Sequence, residues 1–336
     1  MKRIFALLLA LALLLTACGA PAASEPAPDG ASGYPLTLTD QAGRTVTLED
    51  QPERIVSGYY ISTSLLIALG AADKLVGIEA KADKRPIYAL AAPELIALPN
   101  VGSAKEFDLE GCAALDPDLV ILPRKLQNAA DTLAQLGIPV LLIDPEERVR
   151  VAEMVELVGD AVGAQDRAQE LAAFTARETA RLEDALADAD GPAVYLAGNS
   201  SLLSTAGGAM YQSDLIELAG GENAAAGITD AYWANIDYEQ LLVWDPDVIV
   251  LASDAAYTVD DVLEDPNLSS CTAVVNGAVY QMPNDAEAWD SPVPSGILGA
   301  VWLSSVLHPE SCPQRESDAV ITEFYEEFYG FTYGEN

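Results

Sequence analysis

Histidine is almost absent: His308 stands alone in 336 residues. That excludes a zinc or manganese centre built on imidazoles and leaves any Ser-His-Asp machinery with one candidate base. Basic residues are scarce as well, 17 Lys and Arg against 52 Asp and Glu, for a formal charge of −35. Such a surface repels phosphate backbones and excludes a nucleic-acid binder. Past residues 4–15 no apolar run is long enough to enter a bilayer. Also missing are a Gly-x-Ser-x-Gly elbow, a Walker loop, a Gly-x-Gly-x-x-Gly fingerprint and a Cys-x-x-Cys pair. Gly207-Gly208 and Gly220-Gly221 read as turns or helix stops, and His308, just before Pro309, as an exposed loop residue. No catalytic or metal-ligating set emerges. Half the residues are nevertheless apolar, enough for a packed core, and the length suits two lobes of ~150 residues.

The N-terminus carries an address. Lys2 and Arg3 precede twelve unbroken apolar residues at 4–15. Twelve fall short of the ~20 that span a membrane, so residues 1–17 read as a secretory signal. The run ends in Leu15-Thr16-Ala17-Cys18-Gly19, which resembles a bacterial lipobox. That resemblance implies a lipidated Cys18 as the mature N-terminus. Residues 18–33, small, polar and Pro-rich, read as a flexible tether. The expectation is an exported protein, lipid-anchored on the outer face of the plasma membrane or in a periplasm.

One unit occurs twice. Phe107-Asp-Leu-Glu-Gly-Cys-Ala-Ala-Leu-Asp-Pro-Asp-Leu-Val-Ile-Leu122 returns as Ile236-Asp-Tyr-Glu-Gln-Leu-Leu-Val-Trp-Asp-Pro-Asp-Val-Ile-Val-Leu251. Asp108 and Asp237 stand where a helix N-cap belongs, with Glu110 and Glu239 in the first turn. Pro117 and Pro246 stop each helix. The apolar runs that follow suit parallel strands buried on both faces. Each copy is thus a helix–turn–strand, the half-unit of an α/β layer fold.

The same rhythm surrounds both copies. Arg54-Ile-Val-Ser57, Leu75-Val-Gly-Ile78 and Val140-Leu-Leu-Ile143 read as strands in the first half, Ala193-Val-Tyr-Leu196 and Val279-Tyr-Gln-Met282 in the second. Residues 36–50 suggest an opening hairpin turning at 41–44. From Val149 to about Asp188 the chain is rich in helix formers, with Gly159, Gly163 and Gln165-Asp166 expected to break it. The fold class is therefore α/β: two lobes, each a mostly parallel sheet flanked by helices, joined by a single long connecting helix. The N-terminal lobe is placed at 34–160, the connecting helix at 161–190 and the C-terminal lobe at 191–336.

Ala68-Leu-Gly-Ala-Ala-Asp-Lys-Leu-Val-Gly77, Asp116-Pro-Asp-Leu-Val120, Leu215-Ile-Glu-Leu-Ala-Gly-Gly-Glu-Asn223 and Pro246-Asp-Val-Ile-Val250 follow the lipobox in order. The set resembles the iron-complex/cobalamin class of solute-binding proteins of bacterial ABC importers over roughly residues 36–330. The resemblance implies a monomeric receptor with no enzymatic chemistry, a ligand held between two lobes, slight closure, and delivery to a permease and its ATPase. It also implies one docking acid per lobe, Glu94 and Glu217 by position. Ferric siderophore is the first ligand class, then corrinoid, then haem on Tyr60 or Met210, then an oxyanion. An exported α/β hydrolase and a cell-wall adhesin are the readings from other classes.

Ligands of open parallel sheets bind beyond the carboxyl ends of the strands. That rule nominates Tyr59, Tyr60, Lys105, Arg124 and Lys125 in the first lobe, and Asn199, Met210, Tyr232, Trp233 and Trp289 in the second. Core packing competes for each aromatic, most strongly for Tyr59 and Trp244. No Lys or Arg occurs between Arg181 and Arg315, so the first lobe holds the cations. Lys81, Lys84 and Arg85 read as a solvated face. Arg124-Lys125, following a strand, is the expected anchor for an anionic complex. Of the remaining cysteines, Cys112 reads as a small buried hydrophobe, and export permits a bridge between Cys271 and Cys312.

Overall fold

One carboxylate shapes the first turn. Strands β1 (Leu36–Thr39) and β2 (Thr45–Leu48) pair antiparallel, and between them Asp40 Oδ1 accepts from the amides of Ala42 and Arg44 at 3.0 and 2.8 Å. The computed structural model describes residues 33–231 and 233–334, and the chain from Tyr34 onward forms one compact unit. The signal, Cys18 and the tether up to residue 32 lie outside the described residues.

The first sheet is built from β3 (Ile55–Ser57), β4 (Leu75–Ile78), β5 (Leu119–Pro123) and β6 (Val140–Ile143), all parallel in the order β4-β3-β5-β6. Every residue of β3, β5 and β6 is buried, as their unbroken apolar runs require. Helices α1 (Tyr60–Ala68), α2 (Pro86–Ala91), α3 (Leu109–Ala114) and α4 (Gln127–Gln135) make the crossovers. Next come α5 (Arg148–Val162) and the 21-residue α6 (Gln165–Ala185). Gly163, with φ at 74°, and Ala164 interrupt the helical stretch, while Gln165-Asp166 open α6 instead of breaking it. Gly159 was expected to break it and instead lies inside α5. A Cβ there would sit 2.5 Å from that of Ala168, so the glycine serves close packing of α5 on α6.

The second sheet contains β7 (Ala193–Gly198), β8 (Ser201–Ala206), β9 (Glu222–Asn223), β10 (Trp233–Asn235), β11 (Val248–Leu251) and β12 (Val279–Gln281). Its order is β10-β8-β7-β11-β12, with β9 also on β7; β8 and β10 run antiparallel, so this sheet is mixed. Around it lie α7 (Tyr211–Leu218), α8 (Tyr238–Trp244), α9 (Val259–Leu263), α10 (Thr272–Val275), α11 (Ile297–Leu307) and α12 (Gln314–Tyr329). The last of these crosses back to the first half. Tyr329 meets Ser64 of α1 at 2.8 Å, and Phe174 of α6 packs edge-on against Phe324 and Phe328.

The repeat has a physical reading in both copies. Asp108 caps α3 by accepting from Gly111 N–H at 2.9 Å, and Asp237 caps α8 from Gln240 N–H at 2.8 Å. Asp116 and Asp245 both take left-handed backbone, φ 49° and 43°. Asp118 then accepts the amides of Glu53 and Arg54 ahead of β3, while Asp247 accepts that of Ala193 at the start of β7. Each motif pins a strand to its neighbour.

Cys112, Cys271 and Cys312 are all buried and free, and the last two belong to different hydrophobic clusters, so the permitted bridge is not formed. His308 is half-buried rather than a free loop residue: its Nε2 donates to the carbonyl of Gly220, the glycine that stops α7. Among the described residues, no helix is long and apolar enough to cross a membrane.

Candidate functional site

Loops that follow strands of the two sheets meet along one seam. Tyr60, beyond β3, donates its hydroxyl to Ser291 Oγ at 3.3 Å, and the Tyr211 amide donates to the Glu146 carbonyl beyond β6 at 3.0 Å. Tyr59 stands edge-on to Tyr60 with ring centroids 5.1 Å apart. The Arg85 guanidinium lies over the Tyr60 ring, 3.9 Å from its centroid, with Nε 3.4 Å from Glu79 Oε1. Glu79 directly follows β4 and is buried, its carboxylate accepting the hydroxyls of Thr63 at 2.7 Å and Tyr88 at 2.6 Å. A pocket of about 40 Å³ between the halves is bordered by Tyr60, Lys84, Arg85 and Tyr88 on one side and by Asp254 and Asn284 on the other.

Burial dominates the protonation equilibria. It pushes both phenols up, Tyr59 with added repulsion from Glu146 and Asp144, Tyr60 against the opposing Ser291 hydroxyl and Arg85 charge. Both therefore remain protonated donors at neutral pH. Burial also raises Glu146, helped by Asp144 and opposed by Lys125. Asp290 is raised by burial against hydrogen bonds from Ser253, and Glu287 by burial against the hydroxyls of Ser295 and Ser64.

These raised carboxyls bind protons more tightly in the folded chain than in the unfolded one, where a Glu titrates near ~4.3. Their burial cost is felt in full above the folded pKa and is relieved as pH falls through it towards the unfolded value. Glu287→Gln should therefore flatten this part of the profile. The difference in Tm between variant and parent should favour the variant most at pH 8 and shrink towards pH 5 in calorimetric scans. A difference independent of pH would show that Glu287 does not titrate as its burial requires.

The family model described as periplasmic binding protein matches residues 55–286, over half of the chain. The chain belongs to the periplasmic binding protein family. Molybdate-binding protein MolA of Haemophilus influenzae is 26% identical, covering 88% of this chain and 91% of its own. Its molybdate-bound crystal structure superposes with a TM-score of 0.79 at 24% identity, covering 89% of this chain and 99% of that one. The ABC transporter substrate-binding lipoprotein YvrC of Bacillus subtilis is 26% identical over 92% of this chain and 97% of its own. A cobalamin-binding protein of Halobacterium salinarum is 30% identical over 72% and 67%.

Within this family member, the structure brings Tyr59 and Tyr60 together at the seam. Asn199 is exposed beyond β7. Trp233 is 42% exposed, and its ring edge stands against Gly198, the last residue of β7. Tyr232 lies outside the described residues. Lys105 is exposed in the 103–106 turn, and Glu94 and Glu217 are exposed.

Two expected ligand residues are core residues instead. Trp289 is 1% exposed and donates its Nε1–H to Tyr325 Oη at 2.8 Å. Met210 is buried in the main cluster, because α7 starts immediately after it and carries it inward.

Arg124 is held by Asp144 at 2.8 Å, Arg150 by the same carboxylate at 3.5 Å, and Lys84 by Asp83 at 3.1 Å. Lys125 is exposed and forms no ion pair among the described residues. Lys74, Lys84, Arg85 and Arg124 thus serve neighbouring carboxylates, which weakens the case for an anionic complex anchored on Arg124. Arg85, read as a solvated face, is a cation at the seam, with Lys84 bordering the same pocket. The rule of strand carboxyl ends would have nominated Glu79 after β4 and Asp144 and Glu146 after β6.

Proposed function

We propose that this protein is the lipid-anchored extracytoplasmic receptor of an ABC importer, capturing a neutral or cationic metal complex at the seam and handing it to the permease. Corrinoids and uncharged ferric hydroxamates are the two ligand classes that fit this description. The observation that carries the reading is the donor set. Two neutral phenols, Tyr59 and Tyr60, share the seam with Asp144, Glu146, Asp254 and Asp290, while the local arginines are engaged by carboxylates. Such a set accepts from amide and hydroxyl groups of a ligand and repels a multiply charged anion. Similarity to a cobalamin-binding protein supports it. Lipidation at Cys18 rests on the lipobox, and similarity to a lipoprotein supports it. Membership of a family of binding proteins speaks against the hydrolase reading.

A second reading is an oxyanion such as molybdate. It is favoured by Arg85 at a pocket of only about 40 Å³ and by similarity to MolA along most of the chain. Calorimetric titration with cyanocobalamin, a ferric hydroxamate, a ferric catecholate and molybdate separates the two. The first or second should bind, and Tyr60→Ala should weaken that complex by about tenfold, the worth of one buried hydrogen bond with its stacking. Binding of molybdate alone would install the second reading. Failure of all four would overturn both.

A further inference from the structure

Val293 borders two hollows, the interlobe pocket and a larger, half-open one bordered by α5, α6, α7 and α11. The larger has a volume of about 580 Å³, within the range of small-molecule sites. It exists because α6 presents Ala172, Thr175, Ala176, Thr179 and Ala180 towards it. Their spacing of three and four places these short side chains on one helix face. Aliphatic walls such as Val155, Leu215 and Ile297 border the space without filling it. It shares Arg148, Glu183, Asp214 and Leu218 with a neighbouring hollow of about 300 Å³ that Glu217 also lines. Glu147 adds a further acid at the rim.

We propose that this hollow is a second small-molecule site, taking an amphiphile with an aliphatic body and a cationic head. The body replaces water against the α6 stripe and the aliphatic walls. The head lies at the acidic end, where Glu183, Asp214 and Glu217 outnumber one guanidinium. An anionic amphiphile would meet those carboxylates unfavourably. The site is independent of the cleft ligand and of its identity.

Decyltrimethylammonium below its micelle-forming concentration is the probe, titrated calorimetrically into the intact chain. It should bind the parent protein, and decyl sulfate should bind about fivefold more weakly or not at all, as a few rim charges dictate. Ala176→Trp, whose indole occupies the hollow, should weaken the probe by about tenfold or more. Ala180→Leu, a smaller filling, should weaken it in the same direction and serves if the tryptophan variant does not fold. Tyr60→Ala should leave probe affinity unchanged. Equal affinity in the filled variants, equal binding of decyl sulfate, or loss of the probe in Tyr60→Ala would each overturn the proposal.

Discussion

Replacing Trp289 with alanine should cost about 3–5 kcal/mol of folding stability, the range for deleting a buried indole. The side chain is 1% exposed, lies 5.6 Å from the Tyr333 ring and donates to Tyr325 of α12. Alanine leaves a cavity where the loop before α11 meets the last helix, and it deprives the Tyr325 hydroxyl of its donor. Trp289→Phe keeps most of the ring and should cost only about 1–2 kcal/mol, chiefly the lost hydrogen bond. Urea unfolding followed by circular dichroism measures both. The folded fraction of Trp289→Phe should bind the cleft ligand as the parent does. Normal stability with lost ligand affinity in either variant would return Trp289 to the cleft.

Trp289 also shows where reading the sequence stops. Local features were legible because their causes are local. Asp108 and Asp237 cap helices that begin at the next residue, and β5 and residues 249–251 of β11 are buried because their apolar runs are unbroken. The 41–44 turn follows from Asp40 and Gly43 alone. The fate of a side chain after a strand depends on partners far along the chain. Trp289 turns inward because Tyr325 waits on α12, and Arg124 is engaged because Asp144 ends the neighbouring strand. Arg85 reaches the seam because Glu79 and Tyr60 hold it there, which charge counting along the sequence does not reveal. Gly159 looked like a helix breaker, yet close packing against Ala168 keeps it inside α5.

Reversing Glu94 and Glu217 together should abolish uptake while leaving ligand affinity intact. Both are exposed, Glu94 in the first turn of the 3₁₀ segment Pro93–Ala97 and Glu217 in the last turn of α7. An acid at the carboxyl end of a helix gains nothing from the helix dipole, so Glu217 is not there to stabilise α7. Resemblance to importer receptors implies that one acid on each lobe meets arginines of the permease. Glu94→Arg with Glu217→Arg turns two attractions into two repulsions, each worth several kcal/mol, so transport of labelled ligand should fall about a hundredfold or more. The neutral pair Glu94→Gln and Glu217→Gln removes attraction without adding repulsion and should lose less. Neither residue borders the interlobe pocket, so calorimetric affinity for the cleft ligand should not move. Normal uptake by the reversed pair would transfer docking to other acids of this strongly acidic surface. A loss of ligand affinity would place one of the two within reach of the seam.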